Sequence, residues 1–285
     1  MNQPTEIWRF TRNDLERLPD SCWTDDSSYL RGCGLFETML AVGDQLPGFP
    51  QHWQRLVASC RHFSLPLPDL TEVQSGWRSL SQQLPSAAYC SARLTVSGTG
   101  RTQPWFGAPS QTNWSWTVSR SKAPFPIPRS WRLTYSPYVF HSDRPTAGHK
   151  TTSFLDWIVA RREAQQRDFD DAILLNQHGD VSECTAANVF VVVQNQILTP
   201  DLSSGCLPGT MRQRFIQQLT NIGLPVSTTR LTRAIMDRAE FAFATSATTG
   251  AIPITSIDQQ TLPLPQPAWW EDLLAQLKVQ LQLPD

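Results

Sequence analysis

The chain has 285 residues, 40% hydrophobic and 17% charged, which excludes a disordered chain and predicts a compact protein built from two closely packed lobes. The formal net charge is −1 and no Lys/Arg run is present, which argues against a nucleic-acid or membrane-surface binder. No apolar stretch reaches the roughly 18 residues of a membrane span, so we expect a cytoplasmic protein with a small-molecule partner.

The first half of the chain alternates strand patterns with one clear helix. Residues 35–42 have a strand pattern, and residues 51–63 place apolar side chains at helical spacing. Residues 91–100 and 114–119 add two further strands. This order predicts an N-terminal α+β domain over residues 1–120.

Three prolines within five residues mark the segment 121–130 as a linker, because proline suits neither a helix interior nor a central strand. A second domain, residues 131–285, follows the linker. Its pattern predicts an amphipathic helix, a strand that turns back as a hairpin through a Gly-containing turn at 176–180, a fully apolar strand, a second helix and a small-residue strand that runs into a loop. These elements are expected at 153–167, 171–176, 188–193, 209–219 and 241–251.

Two residue counts bear on chemistry. The six cysteines are scattered without C-x-x-C spacing, so neither a metal site nor a disulfide framework is expected. Only three of the 24 basic residues are lysines: Lys122 in the Pro-rich linker, Lys278 on the polar face of a helical pattern, and Lys150. Arginine forms no stable imine with an aldehyde, whereas lysine does once its pKa is lowered. Lys150 is therefore the candidate for covalent chemistry.

Three segments of the second half, AGHKTTSFLDWIVARREA, DVSECTAANVF and LPGTMRQ, resemble the fold-type IV family of pyridoxal-5'-phosphate (PLP) enzymes. GCGLFETMLAV and HWQRL match the N-terminal lobe of that family in the same order, so the resemblance covers most of the chain. The family includes branched-chain aminotransferases, D-amino-acid transaminases and 4-amino-4-deoxychorismate lyases. The resemblance implies a two-domain α+β and α/β fold: a small N-terminal α+β lobe, a larger C-terminal mixed α/β lobe, and the cofactor at their interface.

The resemblance assigns roles to three residues of the second half. Lys150 carries PLP as a Schiff base. Glu183 pairs with the pyridine nitrogen and keeps it protonated, which allows the ring to accept electrons from a carbanion. Asn188 is a further motif position, which either contacts the cofactor or satisfies the local backbone.

The phosphate group of PLP is expected at the start of a helix, where backbone N–H groups and the helix dipole favour an anion. The residues that open this helix are Gly209, Thr210 and Met211. Arg55, in HWQRL, matches the phosphate-binding arginine of the family. Many relatives add a Ser or Thr where this chain has Ala247, so the hydroxyls of Ser246 or Thr248, or only the Ala247 backbone, are expected to replace it.

The resemblance also bears on the reaction. Phe154 lies where branched-chain aminotransferases have a tyrosine, whereas SECTAANVF, GTMRQ and SPYVFHSDRPTAGHK are similar to 4-amino-4-deoxychorismate lyases. The lyase reaction converts 4-amino-4-deoxychorismate to 4-aminobenzoate and pyruvate, with Lys150 as general base. Thr38 is a candidate proton donor to the leaving group. Arg93 and Arg101 are candidates to bind the substrate carboxylates, and either could instead be structural.

Two other functions stay open. An aminotransferase acting on D- or branched-chain amino acids would share Lys150, Glu183 and the phosphate seat. A non-catalytic scaffold would be expected to lose the lysine or the glutamate, and both are present. The family habit of completing each active site with a loop of the neighbouring subunit predicts a homodimer.

Overall fold

The structure is a computed structural model that describes residues 6–11, 14–17, 28, 32–84, 89–99, 111–120, 130–262 and 267–281. The chain divides into two compact units. The first comprises Met1–Pro124 with His149–Phe154, and the second comprises Phe125–Gly148 with Leu155–Asp285.

Among the described residues, the first unit contains one five-stranded sheet and two long helices. The strands are β1 (Glu6–Thr11), β2 (Asp14–Arg17), β3 (Gly34–Val42), β4 (Tyr89–Thr99) and β5 (Gln111–Arg120), and the helices are α1 (Phe49–His62) and α2 (Leu70–Ser81). The strands lie in the order β2-β1-β5-β4-β3, and all neighbours are antiparallel. Helix α2 was not predicted from the sequence; the Asp69 side chain caps it by accepting a hydrogen bond from the Glu72 amide at 3.0 Å.

The two faces of β3 have different roles. Leu35, Met39 and Ala41 join the apolar core with residues of α1 and α2. Because successive strand side chains point to opposite faces, Phe36 and Thr38 lie on the other face of the sheet. This alternation separates the face that the helices cover from the face that carries Phe36 and Thr38.

The described part of the second unit contains one nine-stranded mixed sheet. Its strands are β6 (Trp131–Val139), β7 (Asp171–Leu175), β8 (Val181–Cys184), β9 (Asn188–Val193), β10 (Gln196–Pro200), β11 (Val226–Thr229), β12 (Phe241–Ser246), β13 (Gly250–Ile257) and β14 (Gln260–Thr261). The order is β11-β10-β9-β12-β13-β6-β7-β8, with β14 attached to β13. The helices are α3 (Leu155–Gln166), α4 (Thr210–Asn221), the short α5 (Arg233–Met236) and α6 (Trp269–Gln280), beside a 3-10 turn at Leu202–Ser204. Strands β8 and β9 are buried along their whole length, which explains the continuous apolar run at 189–193.

The predicted mixture of strands and helices is confirmed, with shifts at the ends of elements. The predicted helices at 51–63, 153–167 and 209–219 correspond to α1, α3 and α4, and the strand predicted at 241–251 is the hairpin of β12 and β13. Within the described residues, no helix is both long and apolar enough to span a bilayer.

The segment His149–Phe154 packs with the first unit, although the sequence assigned it to the domain 131–285. The Phe36 amide donates to the Lys150 carbonyl at 2.9 Å, and the Thr152 amide donates to the Gly34 carbonyl at 2.8 Å. These bonds add the segment to the edge of β3. The linker at 121–130 stays a prediction, since residues 121–129 lie outside the described residues.

A buried ion pair fastens α1 to β3. Glu37 is 1% exposed and lies on the helix-covered face of the strand. Arg55 donates from Nε to Glu37 Oε1 at 2.8 Å and from Nη2 to Oε2 at 2.6 Å, and His52 Nδ1 donates to Oε2 at 2.6 Å. A carboxylate without such partners would be costly to bury. The three side chains therefore form one unit that fixes the helix on the strand.

The charges within this cluster follow from its contacts. Burial would raise the pKa of Glu37, but the Arg55 charge and the hydrogen bonds from Arg55 and His52 outweigh it and lower that pKa to about 2. Burial lowers the pKa of His52 by more than Glu37 raises it, so His52 donates as a neutral imidazole near pH 7. A carboxyl pKa that is lower in the folded than in the unfolded chain stabilises the fold at neutral pH, and this stabilisation is lost as the pH falls through about 2.

We expect Glu37→Gln to lower the free energy of unfolding at pH 7 by about 3 to 5 kcal/mol, as when one partner of a buried ion pair is removed. Between about pH 4.5 and pH 2 the variant should lose less stability than the wild type, because the titrating carboxylate is gone. Urea unfolding, monitored by tryptophan fluorescence, measures the free energy of unfolding at pH 7 and its decrease at lower pH. The control is Glu163→Gln, whose partly exposed pair with Arg167 should contribute less than about 1 kcal/mol. Equal losses in the two variants would contradict a special role for Glu37.

Candidate active site

Lys150 lies against an aromatic surface of the first unit. Its Nζ is 4.4 Å from the centroid of the Phe36 ring and 5.9 Å from that of Phe154, and the two rings meet edge to face. The backbone from the Lys150 carbonyl to the Thr152 amide is fixed by the pairing with β3. Lys278, by contrast, is exposed on α6, and Lys122 lies outside the described residues. Lys150 thus differs from Lys278, the other described lysine, because its backbone is paired with a strand and its amine lies against aromatic rings.

Arg93 contacts the same ring as Lys150. Its Cζ is 3.6 Å from the Phe36 centroid, and its Nε donates to Thr95 Oγ1 at 3.3 Å. Burial lowers the pKa of Arg93 to about 10, so the group stays charged at pH 7. Within the part of the chain that the structure describes, Arg93 has no acidic partner. A partly buried guanidinium without a counter-ion is suited to bind an anionic ligand.

Thr38 is directly opposite Arg93 in the β3–β4 pair and is partly exposed on the same face of the sheet. The structure therefore places the predicted proton donor beside the predicted carboxylate-binding residue. Arg101 lies outside the described residues, and its role stays a prediction.

Arg55, the predicted phosphate-binding residue, has its guanidinium on the buried Glu37 carboxylate. The side chain is 10% exposed, and the carboxylate balances its charge. Arg55 and Arg93 therefore differ in electrostatic state: one is compensated by a carboxylate, and the other is not. The sequence indicated no such difference.

Glu183 occupies a buried position on β8 in the second unit. It is 9% exposed, and its Oε2 accepts a hydrogen bond from the Leu207 amide at 2.9 Å. Burial lowers the pKa of Arg144, and the negative charge of Glu183 partly offsets this effect, so the two groups interact electrostatically. The Arg144 guanidinium also lies 4.8 Å from the centroid of the Trp157 ring. Glu183 is thus a buried carboxylate that a backbone donor holds near a positive charge.

Asn188 fastens the loop that precedes α4. Its Nδ2 donates to the Leu207 carbonyl at 2.9 Å, while the Leu207 amide is bound to Glu183. A Cβ built on Gly209 would lie 1.9 Å from Asn188 Oδ1, so only glycine fits here. Of the two roles that the sequence left open for Asn188, the backbone role is observed. A cofactor contact stays a proposal.

The expected phosphate seat is the start of α4. Gly209 is the N-cap residue, and among the described residues no side chain caps the helix. Thr210 and Met211 follow as the first helical residues; the Met211 side chain is buried, so only its backbone can contribute to an anion site. Unpaired N–H groups and the positive end of a helix dipole are suited to an oxyanion.

The turn after β12 lies at the same edge of the sheet. Thr245 is opposite Asn188 in the β9–β12 pair, and Ser246 follows it directly. Ser246 Oγ and Thr249 Oγ1 are 2.5 Å apart, and the residues between them, Ala247 and Thr248, are partly exposed. Thr249 was not singled out in the sequence, although the run of hydroxyl residues at 245–249 was a usable signal.

The structure thus gathers the predicted residues into two groups, one in each unit. The first holds Lys150, Arg93 and Thr38 around Phe36, and the second holds Glu183, Asn188, Gly209–Met211 and Ser246–Thr248. Sequence reasoning missed Glu37 and Arg144. A signal was available for Glu37, because His52 and Arg55 lie three residues apart on one helical face and both need an acidic partner.

Known proteins with similar sequences or structures span both reaction types. The aminodeoxychorismate lyase of Vibrio harveyi is 24% identical over 238 residues, which are 81% of this chain and 86% of that protein. The branched-chain aminotransferase of Thermoproteus uzoniensis superposes with a TM-score of 0.83 at 20% identity, covering 99% of this chain and 97% of that one. An aminotransferase of Brucella abortus, solved with bound PLP, has a TM-score of 0.83 at 18% identity and covers 97% and 98% of the two chains.

These structural likenesses confirm the predicted fold-type IV architecture. The family model for class IV amino-transferases matches residues 34–257, from the start of β3 to the end of β13. The match includes Lys150, Glu183 and the start of α4. The chain therefore belongs to the class IV aminotransferase family.

Proposed function

We propose that this protein is a cytoplasmic PLP-dependent aminodeoxychorismate lyase, which forms 4-aminobenzoate and pyruvate from 4-amino-4-deoxychorismate in folate biosynthesis. The observation that carries the proposal is that the Lys150 amine and the Arg93 guanidinium contact the same ring, Phe36. A substrate that bears both an amino group and carboxylates requires a reactive amine close to a cation. The relationship to the Vibrio harveyi lyase supports the assignment.

The residues present fit PLP as the cofactor. Lys150 would hold it covalently, and Glu183, a buried carboxylate whose Oε2 accepts a hydrogen bond from the Leu207 amide, would pair with the ring nitrogen. Its phosphate group would be bound at the start of α4. Further phosphate contacts would come from the turn at Ser246–Thr248 and from Arg55. When bound, PLP supplies an electron sink for the carbon next to the substrate amine.

The side chains of the first unit divide the remaining tasks. Once its amine is released, Lys150 would act as general base on the ring carbon that bears the substrate nitrogen. Thr38 would donate a proton to the departing enolpyruvyl group, which leaves as pyruvate. Arg93, with Arg101 as a second candidate, would bind the substrate carboxylates, while Phe36 and Phe154 keep water from the amine.

Product analysis tests the reaction. With 4-amino-4-deoxychorismate alone, the wild-type protein should release 4-aminobenzoate and pyruvate in equal amounts, turnover after turnover, whereas Lys150→Ala should release neither. Lys278→Ala, which changes an exposed lysine, is the matched control and should be fully active. A requirement for a 2-oxo acid, with transfer of the amino group to it, would instead show an aminotransferase of D- or branched-chain amino acids. Loss of PLP binding and of both activities would favour a non-catalytic scaffold.

A second prediction concerns Glu183→Gln. The variant keeps the shape of the side chain and an oxygen for the Leu207 amide, but it withdraws the charge that would hold the ring nitrogen protonated. If that charge is worth one to two pKa units, turnover at full PLP occupancy should fall by on the order of ten- to a hundredfold. Absorbance measures occupancy and product formation measures turnover. Glu240→Gln, at an exposed residue that binds the Gln194 amide, is the control. Wild-type turnover in Glu183→Gln would rule out the proposed pairing.

We also propose that the protein is a homodimer. The second unit exposes a cluster of apolar side chains where β6 ends and α3 begins, around a groove of about 890 Å³. The cluster consists of Tyr138, Val139, Leu155, Ile158 and Val159. Contiguous apolar surface of this kind is typical of an interface between subunits. Leu155, at 67% exposed, is its most accessible member.

Leu155→Glu should therefore convert a dimer into a monomer, because a carboxylate would have to be buried in an apolar interface. Sedimentation velocity at micromolar concentration measures the change. Val279→Glu is the control: Val279 is 77% exposed on α6, away from the apolar cluster in the sequence and the fold, and the variant should stay dimeric. A monomeric wild-type protein at this concentration would contradict the proposed dimer.

A further inference from the structure

A polar stripe runs along one face of α1. Its members are His52, Arg55, Ser59 and His62, spaced by three, four and three residues, which places them above one another on a helix. The first two bind Glu37 of β3. The last two bind the residue immediately before Lys150. The proposed reaction gives that preceding residue no role of its own.

That residue is His149, and three side chains of α1 and its C-cap hold its ring. Its Nδ1 is 2.9 Å from Oγ of Ser59, a hydroxyl that is 4% exposed. Its ring stacks on His62 with 4.3 Å between centroids and 24° between planes, and Phe63 meets it edge-on at 4.9 Å. Burial and the neighbouring His62 lower the pKa of His149, so the ring is neutral near pH 7 and stacks without adding a like charge.

The chain that follows His149, from the Lys150 carbonyl to the Thr152 amide, is held by β3. The Lys150 carbonyl accepts from the Phe36 amide, and the Thr152 amide donates to the Gly34 carbonyl. Lys150 is therefore preceded by a residue that α1 holds and followed by a segment that β3 holds.

We propose that His149 is the positioning residue of Lys150: by binding Ser59 and stacking on His62, it fixes the backbone from which the reactive amine projects. This inference rests on the proposed role of Lys150. It also gives α1 a second role. Because the same face of the helix carries Arg55, this one helix positions both Arg55 and, through His149, Lys150. A reactive group must be held to within about 0.5 Å by the residues around it, and the contacts of His149 with α1 add to those of the next residues with β3.

Hydrogen exchange in the cofactor-free, full-length protein tests the anchoring directly. In His149→Ala, the amides of Phe36 and Thr152, which bond the lysine segment to β3, should exchange about two- to tenfold faster, the factor expected for loss of one net hydrogen bond. Ser59→Ala should have a similar effect, and adding it to His149→Ala should change little further, because the two residues share one interaction. His149→Asn keeps a polar atom near the position of Nδ1 and should restore much of the protection.

The second readout is the rate at which added PLP becomes fixed to Lys150, trapped with borohydride and located by peptide mapping. His149→Ala should slow this capture by about two- to tenfold for the same reason, and His149→Asn should recover part of the rate. The control is His178→Ala, at an exposed histidine in the turn before β8, which should match the wild type in both measurements.

The outcomes separate this inference from the proposed function. If the wild-type protein fixes PLP elsewhere or not at all, the proposed function fails, and the exchange data still decide whether His149 anchors the segment. If the label is on Lys150 but His149→Ala and Ser59→Ala show wild-type exchange and capture, His149 is not a positioning residue. Should His149→Ala unfold, the milder Ser59→Ala variant decides on the same two measurements. Slower capture without faster exchange would also overturn the proposal.

Discussion

The pairing of residues 150–152 with the edge of β3 is the constraint on which the first unit depends. Two backbone hydrogen bonds, at 2.9 and 2.8 Å, place Lys150 beside Phe36. Because strand side chains alternate, the same strand presents Phe36 to the amine on one face and Glu37 to α1 on the other. One strand thus positions both Lys150 and the buried ion pair.

In the second unit, the backbone of one residue, Leu207, binds two of the predicted site residues. The Leu207 amide donates to Glu183, and its carbonyl accepts from Asn188, so the loop before α4 is fixed at both ends of one residue. The contact between Asn188 and the glycine that opens the helix leaves no room for a side chain. The Glu183 carboxylate and the start of α4 are consequently held by the same short segment. A shift in the position of one should therefore shift the other.

Charge compensation distinguishes arginines that are alike in sequence. Arg55 is balanced by Glu37 within the core, whereas Arg93 stacks on Phe36 without an acidic partner among the described residues. The cost of burying a charge without a counter-ion is high enough that such a group is usually retained for a ligand. This contrast supports a carboxylate-binding role for Arg93. It gives Arg55 a structural role beside the proposed contact with phosphate.

The sequence by itself determined the family and the mixed fold, and it singled out Lys150 and Glu183 as candidate site residues, because these depend on local motifs and on periodic patterns that each element carries within itself. It also singled out Gly209 as part of the expected phosphate seat, whereas the close approach of this glycine to Asn188 is seen only in the structure. Only the tertiary structure decided that His149–Phe154 belongs with β3, that Glu37 neutralises Arg55, and that His149 rests on Ser59 and His62. These are contacts between residues 15 to 121 positions apart, such as Glu37 with His52 and Gly32 with Ser153. Charge balance and ring stacking act through space, so the order of residues along the chain does not reveal them.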